Sequence, residues 1–368
     1  MKIALITIHY VSNYGAVLQT FATKKILSQY GEVETINYFN PHLPYQLDLI
    51  RFKPSIHGIK MAIHDILRFK YRNRLINRFQ EFFESNLNLS KVVTQQDINN
   101  GVINNSDVYV CGSDQIWNPH IVSRDGDIDP TYFLSFAPNK AKKISYASSA
   151  SGYRFVGSKD EKKVKELLTD FTMISVRESS TQEDLSQLLK REIFHVLDPT
   201  LLLSQEEWLE ALKIDKTYRS QEENYILVYR VPKDPLLTKA IKFFVKKLGL
   251  KLVIIEQAFK PFIAADFHIR DAGPLEFIEL FANASLVITN SFHGTCFSIN
   301  FKKPFVVVSG GGGRSESLLN LFGLTDRLIS NEKNFDELTI DFEYEFTENR
   351  LKDERAKSIK ILSSGIAS

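Results

Sequence analysis

The sequence predicts an α/β protein of two doubly wound, Rossmann-like domains, and three observations carry that expectation. Short β-branched apolar runs bounded by turn residues alternate with helical patterns, as they do where helices cover both faces of a parallel sheet. A chain of 368 residues exceeds the usual reach of one hydrophobic core. The polar stretch Lys213 to Asn224 separates two blocks of the alternation, as a linker would.

The first block opens with the apolar run Lys2 to Ile8, which carries one charge and is too short for a signal peptide or a membrane span. It reads as a buried strand, followed by a helical pattern over Tyr14 to Tyr30. Arg51 to Ser90 is basic and helical in pattern and is expected to form a helical insertion. Further strands are expected at Asp107 to Cys111, Lys143 to Ala147, Met173 to Val176 and Ile193 to Leu197, with helices over Lys159 to Asp170 and Ser180 to Lys190. In the second block the strands are Tyr225 to Tyr229, Leu250 to Ile255, Leu286 to Thr289 and Pro304 to Val308. Helices are expected over Pro235 to Leu248, Pro274 to Ala284 and Ser315 to Phe322, and a last one over Asn349 to Ile361 is expected to cross back and brace the first domain. The expected boundaries are therefore 1–215 with the insertion near 51–90, 216–348, and a crossing segment 349–368.

Composition narrows the class. Hydrophobic residues at 43% and charged residues at 24% describe a folded globular chain. Lys and Arg number 46 against 44 Asp and Glu, a net charge of +2, so no global field draws the chain to nucleic acid or to an anionic membrane. Any anion site must be local. No run reaches the eighteen apolar residues of a spanning helix. Cys111 and Cys296 each sit in an apolar run and read as small buried hydrophobes, which fits a reducing cytoplasm. The run Arg68, Lys70, Arg72, Arg74 and Arg78 alternates with aromatics and reads as the solvated face of an amphipathic helix rather than a phosphate site.

In open α/β domains the loops leaving the carboxyl ends of strands line the ligand crevice. Four such loops carry suitable chemistry. After the first strand, Asn13, Tyr14 and Gly15 lead into a helix start whose backbone N–H groups can receive an anion or sugar hydroxyls. After Cys111 come Gly112, Ser113, Asp114, Gln115 and Trp117, a turn with a carboxylate, an amide and an indole that suits sugar recognition; an Asp cap beside a core Trp is the alternative. After Thr289, Asn290 or Ser291 can cap the next helix, with His293 and Gly294 in its first turn. After Val308 a glycine run ends in Gly312, Gly313 and Arg314, a plausible cradle for phosphate or carboxylate. One further cation, Arg177, directly follows a strand, where it either clamps a carboxylate or pairs with Glu178 or Asp198. The spacings match no Walker loop, GxGxxG fingerprint, zinc site or GxSxG elbow.

Six segments taken together and in order resemble the polysaccharide pyruvyl transferase family: Asn13 to Gln19, Gly112 to Asn118, Ser145 to Ser149, Ser175 to Glu178, Leu197 to Thr200 and Ser291 to Thr295. The resemblance spans residues 3 to 330. It implies a GT-B-like fold, two Rossmann-like domains facing across a cleft, with phosphoenolpyruvate as donor and co-substrate, a diol of a glycan as acceptor, and no metal or other cofactor. The first domain is expected on the acceptor side and the second on the donor side. The resemblance also implies that Arg177 and His293 are active-site groups, and Asp114 is the choice for positioning or deprotonating the acceptor. This chain departs from the pattern at Ser291, where many members carry an arginine; Arg314 is the candidate to replace it. A surface polysaccharide such as capsule, or its lipid-linked precursor, is the expected acceptor. The enzyme is expected in the cytoplasm, at the inner membrane face where the acceptor is lipid-linked. Two alternatives stay open: a glycosyltransferase of the same fold using a nucleotide sugar, and a non-catalytic glycan-binding subunit.

Overall fold

The computed structural model describes residues 1–367 apart from 44–46, 53, 104, 215–223, 231–233, 310–312, 333–334, 337 and 339–343. The expected linker falls largely outside the described residues. Two compact units emerge. The first comprises Met1–Leu47, Phe83–Leu202 and Lys352–Ser368; the second comprises Asp48–Phe82 and Leu203–Leu351.

In the first unit six strands, β1 (Lys2–Ile6), β2 (Glu32–Thr35), β3 (Val108–Cys111), β4 (Lys142–Ser148), β5 (Met173–Val176) and β6 (Phe194–His195), form a sheet of order β2-β1-β3-β4-β5-β6. Every pairing in it is parallel. The apolar runs are buried on both faces, so Ile3 to Ile6 and Val108 to Cys111 are nearly inaccessible. In the second unit β7 (Tyr225–Tyr229), β8 (Lys251–Ile255), β9 (Phe267–Ile269), β10 (Leu286–Thr289), β11 (Phe305–Val308) and β12 (Leu328–Ile329) form a sheet of order β12-β11-β10-β7-β8-β9, again all parallel. Counted within the unit, this is the strand order of a dinucleotide-binding Rossmann sheet. Strand order reverses between β1 and β3 in one sheet and between β7 and β10 in the other. Those two places are where an open parallel sheet presents a ligand crevice.

The units depart from the expected boundaries in two ways, and named contacts give the reasons. The insertion up to Phe82 belongs with the second unit, because Arg74 pairs with Asp271 at 2.6 Å, Arg78 with Glu276 at 2.9 Å, and Arg68 donates to the Gln257 carbonyl. The second unit begins at Leu203 rather than at 216 because Trp208 is wholly buried against Phe297, with centroids 5.5 Å apart, while Asn300 Nδ2 donates to the Leu203 carbonyl at 2.9 Å. The last helix, Glu345–Ala367, is longer than its pattern suggested. Its end is tied to the first unit: Leu197 N donates to Ser358 Oγ at 3.0 Å and Lys142 Nζ to the Ile366 carbonyl at 2.9 Å.

The basic run is also corrected. Arg68 and Arg72 are 6% and 1% exposed, so part of the run is internal rather than a solvated face. Both cysteines are free and buried, and burial pushes the Cys111 thiol up to about 12. Among the described residues no helix is long and apolar enough to cross a membrane.

Candidate active site

At the first crevice, backbone geometry and buried polar pairs shape the loop after β3. Gly112 lies so close to the end of the neighbouring strand β1 that a Cβ there would meet Thr7 Cβ at 3.1 Å. Asp114 takes a left-handed conformation, φ 70°, a region that Asp tolerates better than most residues but that still marks a held backbone. Its Oδ1 accepts from Gln115 N at 2.9 Å, and its carbonyl accepts from Ser149 N at 3.0 Å. A shift of register between Ser145 and Ser148 accompanies Ala147 at φ 54°. Such a bulge re-aims the side chains that follow. Ser148 Oγ donates to the Gly112 carbonyl at 2.8 Å, and Ser149 Oγ donates to Glu178 Oε1 at 2.6 Å.

Arg177, at the end of β5, is the hub of this region. Its Nη1 donates to Asp198 Oδ2 at 2.7 Å and its Nε to Glu178 Oε1 at 3.2 Å, and Nη2 lies 3.9 Å from Asp114 Oδ1. The side chain is 1% exposed. Burial alone would lower its pKa, but the three carboxylates outweigh burial and raise it, so the guanidinium is a fixed cation. The pairing with Glu178 and Asp198 that the sequence allowed is present. Asp198 is anchored in turn by Thr200, whose N and Oγ1 donate to Oδ1 at 3.0 and 2.6 Å, while Ser113 Oγ donates to Oδ2 at 3.2 Å.

The remaining residues of this crevice divide by exposure. Asn13 is exposed and caps the helix Tyr14–Leu27, its Oδ1 accepting from Ala16 N at 3.3 Å; Tyr14 and Gly15 are buried behind it. Gln115 is half-buried, its Oε1 accepting from Asn118 Nδ2 at 3.1 Å. Trp117 is a core residue: it is wholly buried, its Nε1 donates to the Tyr132 carbonyl at 3.0 Å, and it stacks on Phe133 with centroids 5.2 Å apart. Here the core-Trp alternative holds, so this indole supports the wall from within. His9, just beyond β1, is also internal, with Nε2 3.0 Å from Asn37 Oδ1 and Nδ1 3.2 Å from the Thr7 carbonyl. Burial holds its pKa below the ordinary histidine range.

At the second crevice, Thr289 Oγ1 donates to the Tyr229 carbonyl at 2.5 Å and accepts from Ser291 N at 3.0 Å, which joins the ends of β7 and β10. Ser291 is the N-cap of the helix Phe292–Asn300, so the hydroxyl at the family's arginine position has a definite structural task. His293 lies in the first turn, 7% exposed, its ring edge-on to Phe292 at 5.3 Å. Gly294 is required by close approach, because a Cβ there would stand 2.3 Å from Thr289 Oγ1. Asn290 is half-buried. Arg314 opens the helix Arg314–Phe322, with Cζ 5.5 Å from the centroid of Phe292. It therefore comes to the neighbour of both Ser291 and His293. Gly313 precedes it and is exposed; Gly312 lies outside the described residues.

Sequence reasoning passed over a third group, at the ends of β7, β8 and β9. Arg230 Nη2 pairs with Glu256 Oε1 at 2.8 Å and covers the Phe262 ring at 3.8 Å, while His268 Nδ1 lies 3.6 Å from Glu256 Oε2. Its signal was available, since Arg230 and Glu256 each stand directly after an apolar strand. Among the described residues no group of three His, Cys, Asp or Glu is placed to hold a metal ion.

The fold belongs to a known class. The chain superposes on the UDP-GlcNAc 2-epimerase from Neisseria meningitidis bound to UDP-GlcNAc with a TM-score of 0.54 and 13% identity, covering 100% of both chains. It superposes on the putative UDP-N-acetylglucosamine 2-epimerase from Listeria monocytogenes with a TM-score of 0.51 and 12% identity, covering 95% of this chain and 90% of that one. Identity this low speaks for the fold alone: two Rossmann-like units of the GT-B type. No curated protein matches the chain. A family model for polysaccharide pyruvyl transferase matches residues 13–312, and the chain belongs to that family. It is accordingly a transferase, of the family that passes pyruvyl groups to polysaccharide.

Proposed function

We propose that the donor is phosphoenolpyruvate, that the acceptor is a diol on a sugar of a surface polysaccharide or its lipid-linked precursor, and that the product is a pyruvate ketal with release of phosphate. The observation that supports this reading is at the end of β10, where Phe292, the first residue of the helix that carries His293, has Arg314 over its ring at 5.5 Å. Phosphoenolpyruvate carries two anionic groups close together. A nearly neutral chain must hold them by concentrating amide dipoles and a cation at one place.

Ketal formation needs a proton on the vinyl methylene, attack by one hydroxyl at the adjacent carbon, loss of phosphate, and attack by the second hydroxyl. Two hydroxyl protons are released; one is balanced by the new methyl group and the other leaves on phosphate. His293 is the group proposed to move them, since an imidazole ring can both give and take a proton. Asp114 is proposed to orient an acceptor hydroxyl. Arg177 acts through Asp114 as a positioning residue. Arg314 supplies the charge absent at Ser291. No cofactor is invoked. The acceptor would bring the enzyme to the cytoplasmic membrane face when it is lipid-linked.

Thermal stabilisation by phosphoenolpyruvate, with phosphate released only when a diol sugar is added, is the expected result. Stabilisation by a UDP-sugar and none by phosphoenolpyruvate would overturn the reading in favour of nucleotide-sugar chemistry on this fold.

A further inference from the structure

The first helix of the insertion reverses the ordinary arrangement of an amphipathic helix, which buries its apolar stripe and solvates its charges. In the helix Ile56–Leu67 the buried residues are Gly58 and Asp65. Ile56, Ile59, Ile63, Ile66 and Leu67 are instead 50 to 77% exposed. At 3.6 residues per turn these five positions fall within an arc of about 100°, so they form one continuous stripe. Phe52 and Phe69, 64% and 47% exposed, stand just before and just after the helix.

A buried carboxylate fixes the helix in this orientation. Asp65 receives Arg51 at 2.8 Å and Arg68 at 2.9 Å. Burial alone would raise its pKa, but the hydrogen bonds from Arg51 and Arg68 hold it well below the carboxylate range. The helix is anchored through its acid, with its isoleucines outward.

Charge identifies the occupant of that face. From Ile50 to Arg74 the sequence carries seven Lys or Arg and a single acid, Asp65. Because that acid is sealed and Arg74 is paired with Asp271, the exposed charges that this stretch leaves to solvent among the described residues are the cations Lys60 and Lys70. An apolar stripe rimmed by cations matches an anionic lipid surface, where aliphatic side chains enter the boundary between headgroup and acyl chain and the cations meet phosphates. A second copy of the chain would instead bring cations against cations.

We infer that the exposed face of the helix Ile56–Leu67 docks the protein on an anionic membrane surface. The inference goes beyond the pyruvyl-transfer reading and does not depend on it, since it concerns binding and not turnover. The test is co-sedimentation of the full-length chain with vesicles of phosphatidylcholine alone and of equal parts phosphatidylcholine and phosphatidylglycerol. The wild type binds the mixed vesicles about tenfold better, and added salt weakens that binding. An Ile59→Glu/Ile63→Glu variant loses the binding and keeps the wild-type melting temperature, because both side chains are exposed. If that variant melts early, Ile63→Ser provides the same comparison with a milder change. Wild-type binding no greater than that of the folded variant overturns the inference. So does a wild-type dimer that the variant converts to monomer while neither binds vesicles, which would assign the face to a second copy.

Discussion

The ends of β1, β3 and β5 in one sheet and of β7 and β10 in the other occupy comparable places, yet they use charge differently. In the first, Arg177 is sealed among Asp114, Glu178 and Asp198. In the second, His293 and Arg314 each stand in the first turn of a helix, where backbone amides add their own positive potential. Strand order marks where a ligand can be received. One place sets its cation among carboxylates, the other sets an imidazole and a guanidinium at helix starts.

The most severe way to probe this contrast is Arg177→Met. It would leave Glu178 and Asp198 as buried carboxylates without their cation, at an expected cost of about 3–5 kcal/mol in urea unfolding. Unchanged stability would show that the network does not hold the first crevice together. Arg314→Ala sharpens the contrast from the other side. Half-buried at a helix start, this side chain is expected to affect the Michaelis constant for phosphoenolpyruvate by about tenfold and to leave kcat and the melting temperature nearly unaltered. An unchanged constant would remove Arg314 from donor binding.

A smaller effect is expected at His9. Its folded pKa is depressed, so the unfolded chain binds the proton more readily. Stability is then fully present above the unfolded value of about 6.5 and falls as pH drops below it, by at most about 1.4 kcal/mol per unit. His9→Asn should flatten unfolding free energies measured between neutrality and mildly acidic pH. An unaltered slope would mean that other groups set it.

The alternation of strand and helix was legible because β-branched runs such as Val306 to Val308 are buried on both faces and so nearly uninterrupted by polar residues. β2, β9 and β12 were not, since each is short and only partly buried: Glu32 and Glu34 point outward from β2, and Phe267 is exposed in β9. Membership of the insertion was hidden because Arg68 and Arg78 find partners at Gln257 and Glu276, nearly two hundred residues away in sequence. The candidate site was legible as positions, since strand-end loops are recognisable in a sequence. Partnership was not, because a sequence does not show that Arg177 pairs with Glu178 and Asp198 or that the Trp117 ring lies in the core.

The central claim is that His293 moves the protons of pyruvyl transfer. It is tested most directly by phosphate release from phosphoenolpyruvate against a panel of sugar acceptors, with the wild type and His293→Ala in parallel. The expected result is release that requires an acceptor and falls about 10²–10⁴-fold in the variant, with folding retained. Equal rates in the two proteins, or release indifferent to the acceptor, would contradict it.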